Sequence, residues 1–411
     1  MMSLVGNCIV AQSGGPTSVI NSSLCGVIQE ALKHKEITGV YGARNGILGI
    51  INDNLVDLGK EESVEVELLK NTPSSILGSC RYKLKAPGEG EDYDKILATF
   101  KKYNIRYFFY IGGNDSMDTA DKLNKFINDS GHEIKIIGIP KTIDNDLVET
   151  DHCPGFGSAA KYISTSLAEI YKDATVYPSD QITIIEIMGR NAGWLTAASA
   201  VPTLTGEGPD LVYVPEVPFH YDHFKEEVAR IQSKKGDVVI CASEGIKDVN
   251  GIYVAQNETL QCHDSFGHAQ LGGVAGALKS MISNLGKKIR TIEFSLLQRC
   301  SAHIASATDV EEAYQVGVKA IQAAAEGKSG YMVTILREKQ EPYVAGYGLA
   351  PLSNIANHEK KIPREWINDE GHGVKREVLD YITPLIKGKN EYKEDNLGLP
   401  RFANFKMIPI K

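Results

Sequence analysis

A short apolar run stops at a glycine-rich or polar turn and gives way to a helical pattern, and this junction recurs along the chain. A segment of that kind buries its apolar residues only as strand, loop and helix in a layered α/β fold. Residues 7–12 read as a buried strand, followed by Ser13-Gly14-Gly15-Pro16-Thr17 and a helix over about 19–33. Its Val19, Ile20, Leu24, Val27, Ile28 and Leu32 repeat at helical spacing. Residues 106–111 (RYFFYI) form a second strand before Gly112-Gly113-Asn114-Asp115-Ser116 and a helix from Met117 to about Asn128. Residues 134–139 (IKIIGI) form a third, ending at Pro140.

The alternation resumes with 181–187 (QITIIEI), then MGRNAGW and an alanine-rich helix. Further strands are expected at 211–214, 237–241, 290–297 and 330–336, with a helix at 310–325. Strands alternating with helices imply mostly parallel sheets flanked by helices, and two such series imply two lobes with a cleft between them. With 411 residues, 42% of them hydrophobic, the chain is long enough for two cores. From about Tyr343 proline, lysine and glutamate accumulate (KKIPREW, KGKNEYKEDN), which reads as a tail lying on the lobes.

Several function classes are excluded or weakened. The net charge of -8 argues against a broad nucleic-acid or membrane surface, which calls for a basic field. No stretch approaches the ~18 apolar residues of a membrane span. The N-terminus has no basic region before an apolar one, so a signal peptide is not expected and the protein is read as soluble and cytoplasmic. Seven scattered cysteines, none spaced C-x-x-C, fit a reduced protein without a zinc site. Cys262, His263 and His268 make a poor ligand set. Gly327-Lys328-Ser329 lacks the earlier glycine of a P-loop, since Gln322 stands there. Gly155-x-Gly157-x-x-Ala160 fits a loose dinucleotide fingerprint but follows Cys153 and Pro154 rather than a strand.

Four loops at strand C-termini carry the chemistry, at the edge where open α/β sheets bind ligands. Around Gly14 and Gly15 the backbone can approach a phosphate, with a helix N-terminus behind it, although a plain tight turn explains the same residues. Asp115 or Ser116 can cap a helix, or the loop can cradle phosphate and offer oxygen to magnesium. In Lys141-Thr142-Ile143-Asp144-Asn145-Asp146, one carboxylate can take a proton from a hydroxyl while the lysine neutralises phosphate charge; a solvated turn is the plainer reading. Arg190, after Met188 and Gly189, can hold a phosphoryl group with several donors or simply face solvent.

Together these motifs resemble the phosphofructokinase family: SGGP, GSCRYK, GGNDS, PKTIDND, MGRNAGW, SEG and LLQR follow one another as they do there, over about residues 7–307. The resemblance implies a phosphofructokinase-like fold with its active site in the interlobe cleft. It implies a donor-phosphate lobe at 1–150, a sugar-phosphate lobe at 151–330, with the chain crossing between lobes, and an extension at 331–411. ATP-dependent members usually carry glycine at the positions of Asp115 and Lys141, so the resemblance points to the pyrophosphate-dependent branch. A carboxylate at Asp115 crowds a nucleotide's α-phosphate: two unit charges ~4 Å apart at an effective dielectric near 20 cost about 4 kcal/mol, roughly a thousandfold.

By the same resemblance Asp144 is the general base toward the sugar 1-hydroxyl. Gly15, Arg81, Asp115 and Ser116 form the donor cradle, with Lys141 at its edge. Thr142, Asp144, Met188, Gly189, Arg190 and Glu244 contact the sugar and the phosphoryl group in flight, and Arg299 and Arg290 clamp the 6-phosphate of fructose 6-phosphate. Magnesium is the implied cofactor, and a homodimer or homotetramer the implied assembly.

Three residues depart from the family pattern. Asn114 replaces a metal-binding aspartate, leaving magnesium to Asp115, to the donor itself, or to Asn114 through water. Gln181 replaces an arginine that reaches a neighbouring subunit, and Leu296 a histidine of the phosphate clamp. An ATP-dependent enzyme and a non-catalytic regulatory subunit are the alternatives, the second opposed by intact Asp144, Asp146, Arg190 and Arg299. Sedoheptulose 7-phosphate is a further candidate acceptor.

Overall fold

The computed structural model describes residues 4–85, 87–257, 273–285 and 287–410. The chain forms two units, each α/β. Unit 1 comprises Met1–Ser158, Arg299–Glu359 and Gly388–Lys411, and unit 2 comprises Ala159–Gln298 and Lys360–Lys387. The chain thus divides differently from the consecutive stretches 1–150, 151–330 and 331–411.

Unit 1 holds β1 (Gly6–Gln12), β2 (Ile37–Ala43), β3 (Leu55–Asp57), β4 (Ile105–Gly112) and β5 (Lys135–Pro140). Unit 2 holds β6 (Gln181–Ile187), β7 (Leu211–Tyr213), β8 (Val238–Ser243) and β9 (Lys288–Glu293). The chain then returns to unit 1 for β10 (Tyr331–Lys339) and β11 (Val344–Pro351).

The seven-stranded sheet of unit 1 has the order β11-β10-β5-β4-β1-β2-β3. Its five central strands run parallel, and β3 and β11 join antiparallel at the two edges. Successive side chains of a strand point to opposite faces, and here both faces are covered. Val10 and Phe109 enter a core with Leu24 and Ile28 of the helix Ile20–Ala31 and Val316 and Ile321 of the helix Ala307–Ala325. Ile9 and Phe108 enter the opposite core with Phe100 of the helix Asp92–Lys102 and Met117 and Leu123 of the helix Asn114–Ser130. That two-sided burial explains why the strands read as continuous apolar runs. The helices Ile20–Ala31 and Ala307–Ala325 approach so closely that a Cβ on Gly26 would lie 2.1 Å from the Tyr314 carbonyl oxygen.

Unit 2 has a four-stranded parallel sheet of order β7-β8-β6-β9. Its core is built from Ile182, Ile184, Val238 and Ile240 of the strands, Phe224 of the helix Tyr221–Lys235 and Leu278 of the helix Val274–Met281. Among the described residues no helix is long and apolar enough to cross a membrane.

Three local expectations change. The helix expected from Met117 begins at Asn114, with Gly113 at its N-cap and no side-chain cap, so Asp115 and Ser116 lie in its first turn. The strand expected over 290–297 ends at Glu293 and a short helix follows at Leu297–Cys300, the break coming at Ser295 with φ +43°. The expected tail is part of both units. Its β11 pairs with β10, with Gly346 opposite Leu336 and Gly348 opposite Thr334. Residues 360–387 join unit 2, where Trp366 and Tyr381 pack their rings 6.2 and 5.1 Å from that of Trp194. The final residues return to unit 1 and hydrogen-bond along the β3 edge, Asp57 N to Ile408 O and Ile410 N to Leu55 O.

Candidate active site

In unit 1 the C-terminal ends of β1, β4 and β5 lie side by side, because these strands are neighbours running in one direction. Gly14 has φ +76°, which a side chain would strain, and its N–H donates to the Cys80 carbonyl at 3.1 Å. Ser79 Oγ returns a bond to the Gly14 carbonyl at 2.6 Å, so the GSCRYK segment is fastened to the first loop next to Arg81. Gly113 gives the helix that follows no side-chain cap, which leaves the Asn114 and Asp115 N–H groups available to an anion, while the Ser116 N–H donates to the Gly113 carbonyl at 3.0 Å.

Lys141 is 3% exposed, and its Nζ donates to the Gly15 carbonyl at 2.6 Å beneath the loop. Burial pushes its ammonium down to about 8; Asp144 and Asp146 oppose that fall, whereas Arg299 and Arg81 add to it. Arg299 belongs to this group, since a Cβ on Gly15 would lie 3.2 Å from its Nη1. Burial first, then Arg81, lowers the Arg299 guanidinium.

The loop after β5 is folded by its own polar side chains. Thr142 Oγ1 accepts the Asp144 N–H at 3.1 Å, and Asn145, fully buried with φ +56°, turns the chain between the two aspartates. Asp146 Oδ1 is shielded from solvent and has no hydrogen-bond partner among the described residues. Burial, and after it the neighbouring Asp144, raises the Asp146 carboxyl to about 7.

Asn114 has both ends of its amide engaged by backbone groups. Its Oδ1 accepts the Asn357 N–H at 2.7 Å, and its Nδ2 donates to the His358 carbonyl at 2.5 Å. Both ends of the amide hold the segment after β11, 244 residues away in sequence.

In unit 2 the ends of β6 and β8 are laced together. Met188 N donates to Gln298 Oε1 at 3.1 Å, and Ser243 Oγ donates to the Gly189 carbonyl. Gly189 has φ +142°, and its N–H lies 3.4 Å from Glu244 Oε1. A Cβ on Gly245 would lie 2.0 Å from the Arg190 carbonyl oxygen, so the two loops touch through backbone. Burial raises the Glu244 carboxyl to about 7, and Glu186 pushes the same way against the Gly189 N–H and Arg190.

Gly15, Arg81, Asp115, Ser116, Lys141, Thr142, Asp144 and Arg299 therefore belong to unit 1, and Met188, Gly189, Arg190, Glu244 and Arg290 to unit 2. Arg290 stands apart from Arg190 and Glu244: it lies on the edge strand β9, and its Nη1 pairs with Asp173 at 2.9 Å beside a cavity of about 490 Å³. Gln298 and Ser243 position backbone at the site and had no assigned role, although both stand inside the quoted motifs LLQR and SEG. Cys262, His263 and His268 lie outside the described residues. Among the described residues no three His, Cys, Asp or Glu side chains form a metal cluster.

Paired strand ends that seat a lysine under a glycine loop and leave a helix N-terminus uncapped suit an enzyme that handles phosphate groups. Comparison with known families matches residues 7–324 to Phosphofructokinase. The chain belongs to the phosphofructokinase family. It is 42% identical to the pyrophosphate--fructose 6-phosphate 1-phosphotransferase of Xanthomonas campestris pv. campestris (strain B100), covering 98% of this chain and 97% of that protein. Among solved structures it resembles the pyrophosphate-dependent phosphofructokinase of Marinobacter aquaeolei, with TM-score 0.88, 41% identity and coverage of 99% and 98%. The enzyme of that name from Nitrosospira multiformis gives TM-score 0.90 and 37% identity, again covering 99% and 98%.

Proposed function

We propose that this chain transfers a phosphoryl group reversibly from pyrophosphate to the 1-hydroxyl of fructose 6-phosphate, giving fructose 1,6-bisphosphate and phosphate. The carrying observation is Lys141: a buried ammonium under the Gly14–Gly15 loop, flanked by Asp144, Asp146, Arg299 and Arg81. Asp144 takes the proton as the sugar oxygen attacks phosphorus. The bridging P–O bond breaks, and Lys141 stabilises the charge left on the departing phosphate.

Unit 1 is the donor side, with Gly15, Arg81, Asp115 and Ser116 around pyrophosphate. Met188, Gly189, Arg190, Glu244 and Thr142 are the residues we assign to the sugar and the group in flight. Arg299 is the first candidate for the 6-phosphate, and Arg290 would have to exchange Asp173 for it. Positioning and charge stabilisation supply most of such a rate.

Phosphofructokinases act with a divalent metal, and magnesium is the metal we assign. Asp115 and Asp146, whose Oδ1 has no hydrogen-bond partner among the described residues, would hold it, since carboxylate oxygens suit such a cation, whereas Asn114 is engaged at both ends. When bound, the metal neutralises phosphate charge. Scattered free cysteines fit the cytoplasm, the reaction fits glycolysis or its reversal, and symmetric self-assembly is the default for such enzymes.

Initial rates on fructose 6-phosphate with magnesium, comparing pyrophosphate with ATP at matched concentrations, test this reading. A preference for pyrophosphate supports it, and a preference for ATP overturns the donor assignment. Asp115→Gly removes the carboxylate that repels an α-phosphate, so the ratio of pyrophosphate to ATP turnover should narrow by up to about a thousandfold. An unchanged ratio would remove Asp115 from donor selection.

A further inference from the structure

The loop that carries Asp144 leaves β5 at Lys141 and returns to the helix Phe156–Ala174. Its outbound and return halves are joined. Thr142 and Gly155 form a parallel bridge, Thr142 N donates to the Pro154 carbonyl at 3.2 Å, and Cys153 N donates to Asn145 Oδ1 at 3.0 Å. The place of the outbound half therefore depends on what anchors the return half.

That anchor is a buried group of charges inside unit 1 in which neither the donor cradle nor the base takes part. His152 is 1% exposed and has a carboxylate on each ring nitrogen: Nδ1 to Asp151 Oδ2 at 2.8 Å and Nε2 to Glu312 Oε2 at 2.6 Å. Two ionised carboxylates only accept, so both ring nitrogens must donate, and only the imidazolium has two N–H groups. Arg337 of β10 donates to Asp151 at 2.9 Å, and Tyr343 Oη donates to Glu312 Oε1 at 2.6 Å. Asp151 N also bonds the Ile335 carbonyl of β10 at 2.9 Å. One turn before Glu312 on the same helix, Asp309 accepts the N–H groups of Gly155 and Ser158, each at 2.9 Å.

We propose that His152 is a positioning residue for phosphoryl transfer: clamped between Asp151 and Glu312, it fixes the return half of the loop and, through Cys153 and Asn145, sets where the Asp144 carboxylate stands. The proposal rests on the reading of Asp144 as the base. A charged histidine between two carboxylates resists sliding, because each half-step away breaks a charge-assisted bond that buried surroundings cannot replace. The two carboxylates hold the His152 proton against burial, up to about 9. The charged and titratable groups facing it are Asp151 on its own loop, Glu312 on the helix Ala307–Ala325, Arg337 on β10 and Tyr343 ahead of β11. Tyr347 of β11 and Glu311 lie within the reach of the same charges.

Steady-state kinetics with pyrophosphate and fructose 6-phosphate test it in three variants. His152→Gln should lower kcat about ten- to a hundredfold while both KM values change far less, as expected when a reacting group is misplaced and substrate binding is left intact. Its amides over 141–155 should exchange faster with deuterium while the rest of the sheet stays protected. Glu312→Gln keeps the volume but removes one charge, so its imidazole loses its proton nearer the ordinary value. The ratio of its kcat to the wild-type kcat should fall about fivefold between about pH 6 and about pH 8; taking the ratio cancels titrations common to both enzymes. Asp144→Asn separates the two readings. If it is inactive while His152→Gln keeps its kcat and Glu312→Gln shows a flat ratio, the base stands and the positioning role falls. If Asp144→Asn keeps wild-type kcat, the base assignment fails and takes the proposal with it.

Discussion

Asp144→Asn should lower kcat about 10²–10⁴-fold with fructose 6-phosphate and pyrophosphate at saturation, the range that a positioned general base contributes. The substitution keeps size and the local fold, because the loop is held by the Asp144 backbone N–H on Thr142 Oγ1 and by Asn145, and neither depends on the carboxylate. The sugar should still bind, so KM changes little and the loss appears in kcat. Asp146 is the only other carboxylate of this loop between 141 and 148, but its Oδ1 is shielded and its carboxyl is raised by burial and by Asp144 itself. A variant that retains kcat would transfer the proton-accepting role to it.

The second large effect belongs to Lys141. Lys141→Met should lower kcat about 10²–10³-fold, the scale of removing one charge-stabilising donor from a preorganised site. Its ammonium titrates near about 8 in the folded protein against 10.5 in the free side chain, chiefly through burial. Between those values the unfolded chain holds a proton that the folded chain has released, so this group makes folding more favourable as pH rises through that window. The shift corresponds to roughly 3 kcal/mol. Activity moves the other way, because the neutral amine no longer stabilises a departing phosphate. Wild-type kcat/KM for pyrophosphate should therefore fall above about pH 8 while resistance to urea does not fall with it. Lys141→Met should lack that decline at its lower rate. A parallel loss of rate and stability in the wild type would assign the decline to unfolding instead.

The central strands of both sheets were legible because burial on two faces leaves mostly apolar residues in runs such as YFFYI and ITIIEI, whereas β2 and β3, nearer one edge of the first sheet, were not read as strands. The loops at their ends were legible because glycine pairs and closely spaced polar residues interrupt those runs abruptly. Contacts distant in sequence were not. Asn114 looked like a weakened metal ligand because nothing near it reveals that residues 357 and 358 come to lie against its amide. The β11 strand was hidden by the glycines at 346 and 348, which lower its strand propensity although they sit opposite Leu336 and Thr334. His152 gave no signal, since its partners Glu312, Arg337 and Tyr343 are spread over three later elements. The resemblance put Arg290 and Arg299 in one clamp, yet Arg290 is on the β9 edge with Asp173 while Arg299 sits by Gly15.

The seven-stranded sheet takes β1 to β5 from the first part of the chain and its β10, its β11 and a covering helix from beyond residue 306. A ribosome delivers those pieces in order, with the whole 159–298 stretch of unit 2 emerging between them. Until Ala307–Ala325 emerges, the face that presents Val10, Phe109 and Ile137 has the helix Ile20–Ala31 over part of it and bare side chains over the rest. The part of the chain that is made first is therefore among the last to be finished, and for the length of that delay its apolar face lacks the helix that covers it.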